Sequence, residues 1–252
     1  MKKEDVRYVE GTVFEGITSI SAVIESENSD RKIEKILYDK ERQDKLSRQL
    51  RYLERKAKQK GFTLQACDRE ELGGITVGSS HGGLVALCTD RTVPSVTDLT
   101  PDKGFYVYIE GIEDPYNFGY ALRSLYAAGV DGVVLPKRNW MSAAGVVCRS
   151  SAGASELMPL YQSEDISFIE AFKNKGFRVV CADEQGECSL YDADLKYPLL
   201  LVVGGEKRGI SRAALDMSDT VVRIDYGREF KEALSAASAA AVLAFECVRQ
   251  NR

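Results

Sequence analysis

The residues with the clearest chemical potential lie in the block Asp114-Pro115-Tyr116-Asn117-Phe118-Gly119, which is followed by Arg123. An apolar run at residues 105–109 precedes the block and predicts a buried strand, so the order is strand, polar loop and helix. In open α/β folds, loops at the carboxyl ends of strands are where ligands bind. The amide of Asn117 and the guanidinium of Arg123 are therefore candidate ligand contacts. The alternative is structural: Asn117 caps the helix and Arg123 is solvated.

A second block, Gly204-Gly205-Glu206-Lys207-Arg208-Gly209-Ile210, follows a continuously apolar run at residues 199–203. That run is typical of a central parallel strand, and a glycine pair directly after it allows the backbone to approach a ligand closely. The spacing is not that of a dinucleotide-binding fingerprint, and the Lys-Ser/Thr pair of a P-loop is missing. A tight glycine turn at the end of the strand is the alternative.

Two further blocks consist of small residues, at 149–155 (RSSAGAS) and at 233–241 (ALSAASAAA). Small side chains allow another segment or a ligand to approach closely. Close packing of the chain alone also explains both blocks.

A stripe of basic residues is predicted between residues 40 and 60. Its members recur every three to four residues, so a helix would present them on one face: Lys45, Arg48, Arg51, Arg55 and Lys58. Such a stripe can neutralise phosphates and release their counterions, which favours contact with RNA. The alternative is a solvated helix face, since Glu41, Asp44 and Glu54 are interleaved with the basic residues.

The composition is that of an ordinary globular protein. The 252 residues are 44% hydrophobic and 29% charged, with a formal net charge of −4. No run approaches the roughly 18 apolar residues that a membrane span needs, and no secretory signal is visible, so we expect a cytoplasmic protein. The six cysteines include no C-x-x-C pair and His81 is the single histidine, so we expect no metal site.

The pattern of strands and helices divides the chain into two halves. We expect residues 1–90 to form a small α/β domain, residues 91–103 a linker and residues 104–252 a second domain. In the second domain, strands alternate with helices, which indicates a mostly parallel sheet covered on both faces. Its predicted strands are 105–109, 132–135, 177–181, 199–203 and 220–224, with a final helix from about 232 to 249. In the first half, strands are predicted at 8–14, 33–38, 63–66 and 84–87, and a helix at 16–26.

In combination and order, these blocks resemble the SpoU-type RNA 2′-O-ribose methyltransferases of the SPOUT superfamily. The shared pattern is D-P-x-N-x-G-x-x-x-R, then S-A-G-A, then a strand ending in G-x-E-x-x-G, then a small-residue start to the C-terminal helix. The resemblance covers residues 104–252, and residues 1–90 look like the family's L30e-like substrate-binding domain. It implies an α/β fold with a deep trefoil knot, transfer of a methyl group from S-adenosylmethionine to a ribose 2′-hydroxyl of rRNA or tRNA, and a homodimer whose active sites are each completed by the partner.

The resemblance also implies roles for particular residues. Arg123 would accept the 2′-hydroxyl proton or stabilise its oxyanion; since a guanidinium has a pKa of about 12.5 or more, electrostatic stabilisation is its better role. Glu206 would order the active-site loop and Arg123. The implied catalytic residues are Asn117, Arg123, Glu206 and Ser235. The implied cofactor contacts are Val203, Gly204, Gly205, Gly209, Ile224 and Leu234. The basic stripe would bind the RNA.

The last motif departs from the family pattern. Ile224-Asp225-Tyr226-Gly227 stands where the family has I-P-M-x-G, and Ser235 stands where an asparagine is expected. The sequence therefore also allows an RNA-binding protein that keeps the fold with weakened or lost catalysis. A nucleotide-dependent enzyme of Rossmann type is a third hypothesis, but the glycine fingerprint of that fold is missing from this sequence.

Overall fold

The structure is a computed structural model, and it describes residues 13–76, 81–137 and 143–252. Most of the strand predicted at 8–14 lies outside the described residues. The chain forms two compact units. The first unit contains the described residues up to Thr92 together with residues 143–157, and the second contains residues 93–137 and 158–252.

Within the described residues, the first unit is built on a four-stranded mixed sheet. Its strands are β1 (Val13–Glu15), β2 (Ile33–Asp39), β3 (Thr63–Cys67) and β4 (Leu84–Cys88), in the spatial order β1-β4-β2-β3. Helices α1 (Gly16–Glu25), α2 (Ser47–Lys60) and α3 (Arg69–Ile75) connect them. Successive residues of β2 point to opposite faces: Ile36 packs in the core with α1 and α2, and Leu37 packs in the core with α3. Helices therefore cover both faces of this sheet.

The second unit contains a seven-stranded sheet among its described residues, and every pairing in it is parallel. The strands are β5 (Phe105–Ile109), β6 (Gly132–Pro136), β7 (Leu160–Ser163), β8 (Arg178–Ala182), β9 (Cys188–Ser189), β10 (Leu199–Val203) and β11 (Thr220–Arg223). Their spatial order is β7-β6-β5-β10-β8-β11-β9. The helices of this unit are α4 (Pro115–Ala127), α7 (Phe168–Asn174), α8 (Arg212–Met217) and α9 (Ala236–Gln250).

These elements confirm the predicted α/β class and the strands predicted for the second half. All five residues of β10 are buried, as a central parallel strand requires. The short strands β7 and β9 were not predicted. Helix α9 begins at Ala236 rather than near residue 232, because Ser235 caps it.

The strand order changes direction between β5 and β10. From β5 the chain continues through α4 to β6 on one side, whereas from β10 it continues through α8 to β11 on the other. Helix α4 packs against α9, and α8 packs against α7 and β8. Leu200 and Val202 of β10 belong to the core of the α7–α8 face, so the alternate residues of the strand face α4 and α9. In open α/β sheets, ligands bind at the carboxyl ends of the strands at such a point.

Two short helices depart from the expected continuous domain at 104–252. Helices α5 (Ala144–Ser150) and α6 (Ala154–Leu157) come between β6 and β7 in the chain, but they pack against β1 and α1 of the first unit. Glycines permit this approach: a Cβ on Gly145 would lie 2.0 Å from the carbonyl oxygen of Val13, and one on Gly153 would lie 2.5 Å from Cβ of Ala22. Close packing therefore accounts for the small-residue block at 149–155.

Buried polar contacts also hold this segment in the first unit. Arg31 and Glu156 form an ion pair with Nε and Oε2 3.2 Å apart, and their side chains are 1% and 3% exposed. The guanidinium of Arg91 donates to the carbonyl oxygen of Ser155 at 2.6 Å. Residues 143–157 are thus an integral part of the first unit.

Candidate active site

Helix α4 begins directly behind the loop that follows β5. Asp114 is its N-cap: the carboxylate accepts a hydrogen bond from the Asn117 backbone N–H at 2.8 Å, and Pro115 occupies the first turn. The structural alternative, in which Asn117 itself caps the helix, is therefore wrong. The side-chain amide of Asn117 instead donates to Oε1 of Glu206, in the loop after β10, at 2.5 Å.

Other polar contacts join the same two loops. Lys207 Nζ lies 2.7 Å from Oε2 of Glu113. This carboxylate raises the pKa of Lys207, but the pair is exposed and so contributes little to stability. The carboxylate of Glu110 accepts a hydrogen bond from the Ser211 backbone N–H at 2.9 Å. Together with the Asn117 contact, these links fix the loop after β5 against the loop after β10.

The glycines after β10 are required because backbone meets backbone there. A Cβ on Gly205 would lie 2.0 Å from the carbonyl oxygen of Gly111, and one on Gly204 would lie 2.4 Å from the carbonyl carbon of Gly209. Gly209 has a φ of +62°, and its N–H donates to the Gly205 carbonyl at 3.0 Å. This is the tight turn considered above, and it joins the glycine loop to the loop that carries Asn117.

Arg123 does not belong to this cluster in the single chain. It follows Asn117 by six positions, which on a helix is about 9 Å along the axis and about 120° around it. Arg123 is exposed on the same helix face as Tyr116 and Tyr120, and it forms no hydrogen bond or ion pair among the residues that the structure describes. The carboxylate of Glu206 contacts Asn117 rather than Arg123.

The loop between β11 and α9 carries the last predicted site residues. Ser235 is the N-cap of α9: its Oγ accepts a hydrogen bond from the Ser238 N–H at 3.2 Å, and its hydroxyl donates to the Ser238 Oγ at 3.0 Å. The Leu234 N–H donates to the Tyr226 hydroxyl at 3.0 Å, which ties the start of the loop to its end. Ile224, at the start of the loop, is half-buried.

A cavity of about 430 Å³ opens beside this loop. It is lined by Asp225, Tyr226, Gly227, Arg228, Phe230 and Leu234. It is an open surface depression, and Leu234, one of the predicted cofactor contacts, lies in its wall. Sequence reasoning did not identify the two aromatic residues as site residues. Tyr226 lies in the motif that departs from the family pattern, and Phe230 lies three residues after that motif.

Asp225 connects this loop to Ser189 in β9. The Ser189 hydroxyl donates to its carboxylate, and Arg223 Nε lies 2.9 Å from its Oδ1. The hydrogen bond from Ser189 and the nearby guanidinium lower the pKa of Asp225. The same guanidinium donates to the carbonyl oxygens of Gly186 and Glu187, each at 2.9 Å. The loops after β8 and β11 are thus linked.

The predicted basic stripe lies in the first unit. Its five side chains are exposed: Lys45 in the turn before α2, and Arg48, Arg51, Arg55 and Lys58 on the helix itself. The opposite face of α2 buries Leu50 and Leu53. No ion pair within the described ranges involves a member of the stripe, so its charges remain available to a polyanion.

Residues 13–76, 81–137 and 143–252 contain no cluster of histidine, cysteine and carboxylate side chains suited to a metal ion. Over the same ranges, we find no helix with the length and apolar character needed to cross a membrane.

The fold defines an open parallel α/β protein whose strand order reverses between β5 and β10, and solved structures share this architecture. The SpoU methyltransferase AviRb from Streptomyces viridochromogenes, in complex with AdoMet, has a TM-score of 0.76 and 24% identity, covering 95% of this chain and 91% of that one. The AdoMet-bound rRNA methyltransferase from Sinorhizobium meliloti has a TM-score of 0.76 and 21% identity, covering 95% and 88%.

Comparison with protein-family models then identifies the family of this chain. The model of the SpoU rRNA Methylase family matches residues 104–245, and that of RNA 2′-O ribose methyltransferase substrate binding matches residues 14–94. The chain belongs to the SpoU rRNA Methylase family, so the resemblance drawn from the motifs is confirmed. The 23S rRNA (guanosine-2′-O-)-methyltransferase RlmB of Shewanella oneidensis is 31% identical over 100% of both chains. That of Xylella fastidiosa is 30% identical over 93% of this chain and 96% of its own.

Proposed function

We propose that this protein transfers the methyl group of S-adenosylmethionine to the 2′-oxygen of a guanosine ribose in 23S rRNA. The observation that supports this proposal most directly is the 2.5 Å hydrogen bond between Asn117 and Glu206, which joins two family motifs at the switch point of the sheet. The relatives named as 23S rRNA guanosine methyltransferases support the choice of substrate.

The loops at the carboxyl edge of the sheet fit this cofactor. Leu234, one of the assigned contacts, lines the cavity of about 430 Å³ beside the loop after β11. When bound, the cofactor supplies a methyl group on a sulfonium, which becomes a neutral thioether as the methyl leaves. The residues assigned to its binding are Val203, Gly204, Gly205, Gly209, Ile224 and Leu234. Asn117 and Glu206 hold the glycine loop in position for this contact.

On the substrate side, the ribose 2′-hydroxyl gives its proton to solvent water as its oxygen forms the new bond to carbon. A guanidinium stays protonated and stabilises the developing negative charge by its N–H donors. We assign this role to Arg123, and we assign to Ser235 the positioning of the start of α9. Because Arg123 lies on an exposed face away from Asn117, we infer that it acts in the active site of a second copy of the chain.

The proposal therefore includes a homodimer formed by α4 and α9. Tyr116 and Tyr120 on α4 are 50% and 48% exposed, and Phe245 on α9 is 47% exposed. The two helices pack against each other. Exposed aromatic groups on neighbouring helices are typical of an interaction surface, and a two-fold axis would bury them on both copies.

The remaining parts of the proposal concern RNA binding, threading and location. The first unit binds rRNA through the basic stripe on α2. For the second unit we propose the trefoil knot that the family resemblance implies. Because the proposed substrate is rRNA, we place the activity in the cytoplasm.

The direct test measures transfer of labelled methyl groups from S-adenosylmethionine to unmodified 23S rRNA transcribed in vitro, followed by mapping of the modified nucleotide. We expect label on a guanosine 2′-oxygen. Cofactor binding without transfer to 23S rRNA or tRNA pools would instead favour the RNA-binding alternative, which the departures at Tyr226 and Ser235 keep open.

Mixed dimers test the assignment of Arg123. Arg123→Ala and Asn117→Ala homodimers should each lose most of the wild-type activity. A dimer of one Arg123→Ala chain and one Asn117→Ala chain should regain about half of the wild-type activity, because one of its two sites then has both groups. No regain in the mixed dimer, with dimerisation intact by sedimentation, would show that Arg123 acts within its own chain.

A further inference from the structure

We propose that Phe230 is a stacking platform for a nucleobase of the RNA, presented by the loop between β11 and α9. The inference rests on the proposed function and adds a substrate contact to it.

Phe230 is the most exposed large hydrophobic side chain among the described residues, at 61%. A single exposed hydrophobic residue is common and carries no meaning alone. This one, however, lies in the wall of the 430 Å³ cavity, at the carboxyl edge of the catalytic sheet. Its closest neighbours along the chain, Glu229 and Lys231, are charged and exposed. The loop thus presents Phe230, its most exposed aromatic ring, at the mouth of the site, beside Tyr226, which is 40% exposed.

The geometry leaves an open face on this ring. The ring centroids of Phe230 and Tyr226 lie 6.3 Å apart at an interplanar angle of 50°. Two tilted rings at this separation attract each other but leave no parallel slot for a base between them. Tyr226 is in turn held by its hydrogen bond from the Leu234 N–H at 3.0 Å. Tyr226 therefore supports one side of Phe230, and the other side is the face on which a base would stack.

The chemistry of the cavity wall fits RNA. Arg228 lines the same cavity as the two aromatic residues. Unstacked bases in RNA are recognised by aromatic faces, while guanidinium groups contact phosphates or base edges. An aromatic platform beside a guanidinium is thus the combination expected for an extruded or single-stranded nucleotide.

The reaction itself requires a base near this position. The methyl donor and the ribose 2′-oxygen must come within bonding distance, and the base is attached to the same sugar. Leu234 is a proposed cofactor contact and also lines this cavity, so the cofactor would lie on the Leu234 side and the base on the Phe230 side.

The test compares Phe230→Ala, Phe230→Leu and Phe230→Tyr in the full-length protein. For each variant, KM for unmodified 23S rRNA is measured by methyl transfer, and the dissociation constant for S-adenosylmethionine by calorimetry. Loss of one base–aromatic stack is expected to raise KM by about fivefold to a hundredfold in the Ala and Leu variants. The Tyr variant keeps the ring and should remain within about twofold of wild type. Cofactor affinity should not change in any of them.

Two results would overturn the inference. One is a Leu variant with wild-type KM, because apolar bulk rather than a π face would then suffice. The other is weakened cofactor binding with unchanged KM for RNA, which would assign the whole cavity to the cofactor. Failure of the proposed function is distinct from both, because wild-type protein would then transfer no methyl group to 23S rRNA.

Discussion

The contact between Asn117 and Glu206 makes a quantitative prediction about catalysis. Glu206→Gln keeps the size of the side chain but removes the negative charge that accepts the amide proton at 2.5 Å. Hydrogen bonds to charged groups contribute about 1.5–3 kcal/mol, and the exposure of this pair favours the lower end. We therefore expect kcat/KM for methyl transfer to 23S rRNA to fall about tenfold, the equivalent of about 1.4 kcal/mol.

A double-mutant cycle isolates the contact. Asn117→Ala and Glu206→Gln should each reduce kcat/KM, and the double variant should lose little more than the worse single variant, because the two residues act through one bond. Glu113→Gln is the matched control, since it removes another exposed link between the same loops and should change kcat/KM less than about threefold. Additive losses in the cycle, or an equal loss in the control, would refute the argument that this particular contact positions the site.

Other predictions concern stability. Gly205→Ala should lower the free energy of unfolding by about 1–3 kcal/mol, because its Cβ meets a carbonyl oxygen at 2.0 Å; Gly74→Ala, in open space on α3, should raise it by about 0.5–1 kcal/mol. Urea titrations would measure both changes. Glu156→Gln should destabilise the protein by about 3–5 kcal/mol, since it leaves Arg31 buried without its charge partner, and a thermal scan would show the lowered midpoint. Because the pKa of Asp225 is lowered in the folded protein, its stabilising contribution is present above about pH 4 and is lost as the pH falls through the lowered pKa. The difference in urea midpoint between wild type and Asp225→Asn should therefore shrink towards pH 3.

The parts of the site that depend on local sequence could be predicted. The apolar runs at β5 and β10 predict buried parallel strands. The Asp114-Pro115 pair is a strong signal for the start of a helix. The basic stripe follows directly from helical periodicity. In each case the relevant residues lie within about two turns or one strand of each other, so the pattern contains the information.

The parts that depend on strand order could not be derived from local pattern. Asn117 and Glu206 are 89 positions apart, and they meet only because β10 inserts beside β5. No local feature of residues 149–155 indicates that they pack in the first unit, since small residues allow close approach to any partner. The interpretation of Asn117 as a helix cap was wrong for a local reason: Pro115 in the first turn places Asp114 at the N-cap.

The passage of residues 143–157 into the first unit has a consequence for synthesis on the ribosome. The ion pair of Arg31 and Glu156 spans 125 positions, so the first unit cannot complete its core when residue 92 has emerged, but only after Leu157 has. By then β5 and β6 have also left the ribosome, but β10, which pairs with β5 in their sheet, has not yet been synthesised. The first unit therefore cannot finish folding before synthesis of the second unit has begun. A nascent chain that stops before residue 157 would expose incomplete hydrophobic cores in both units.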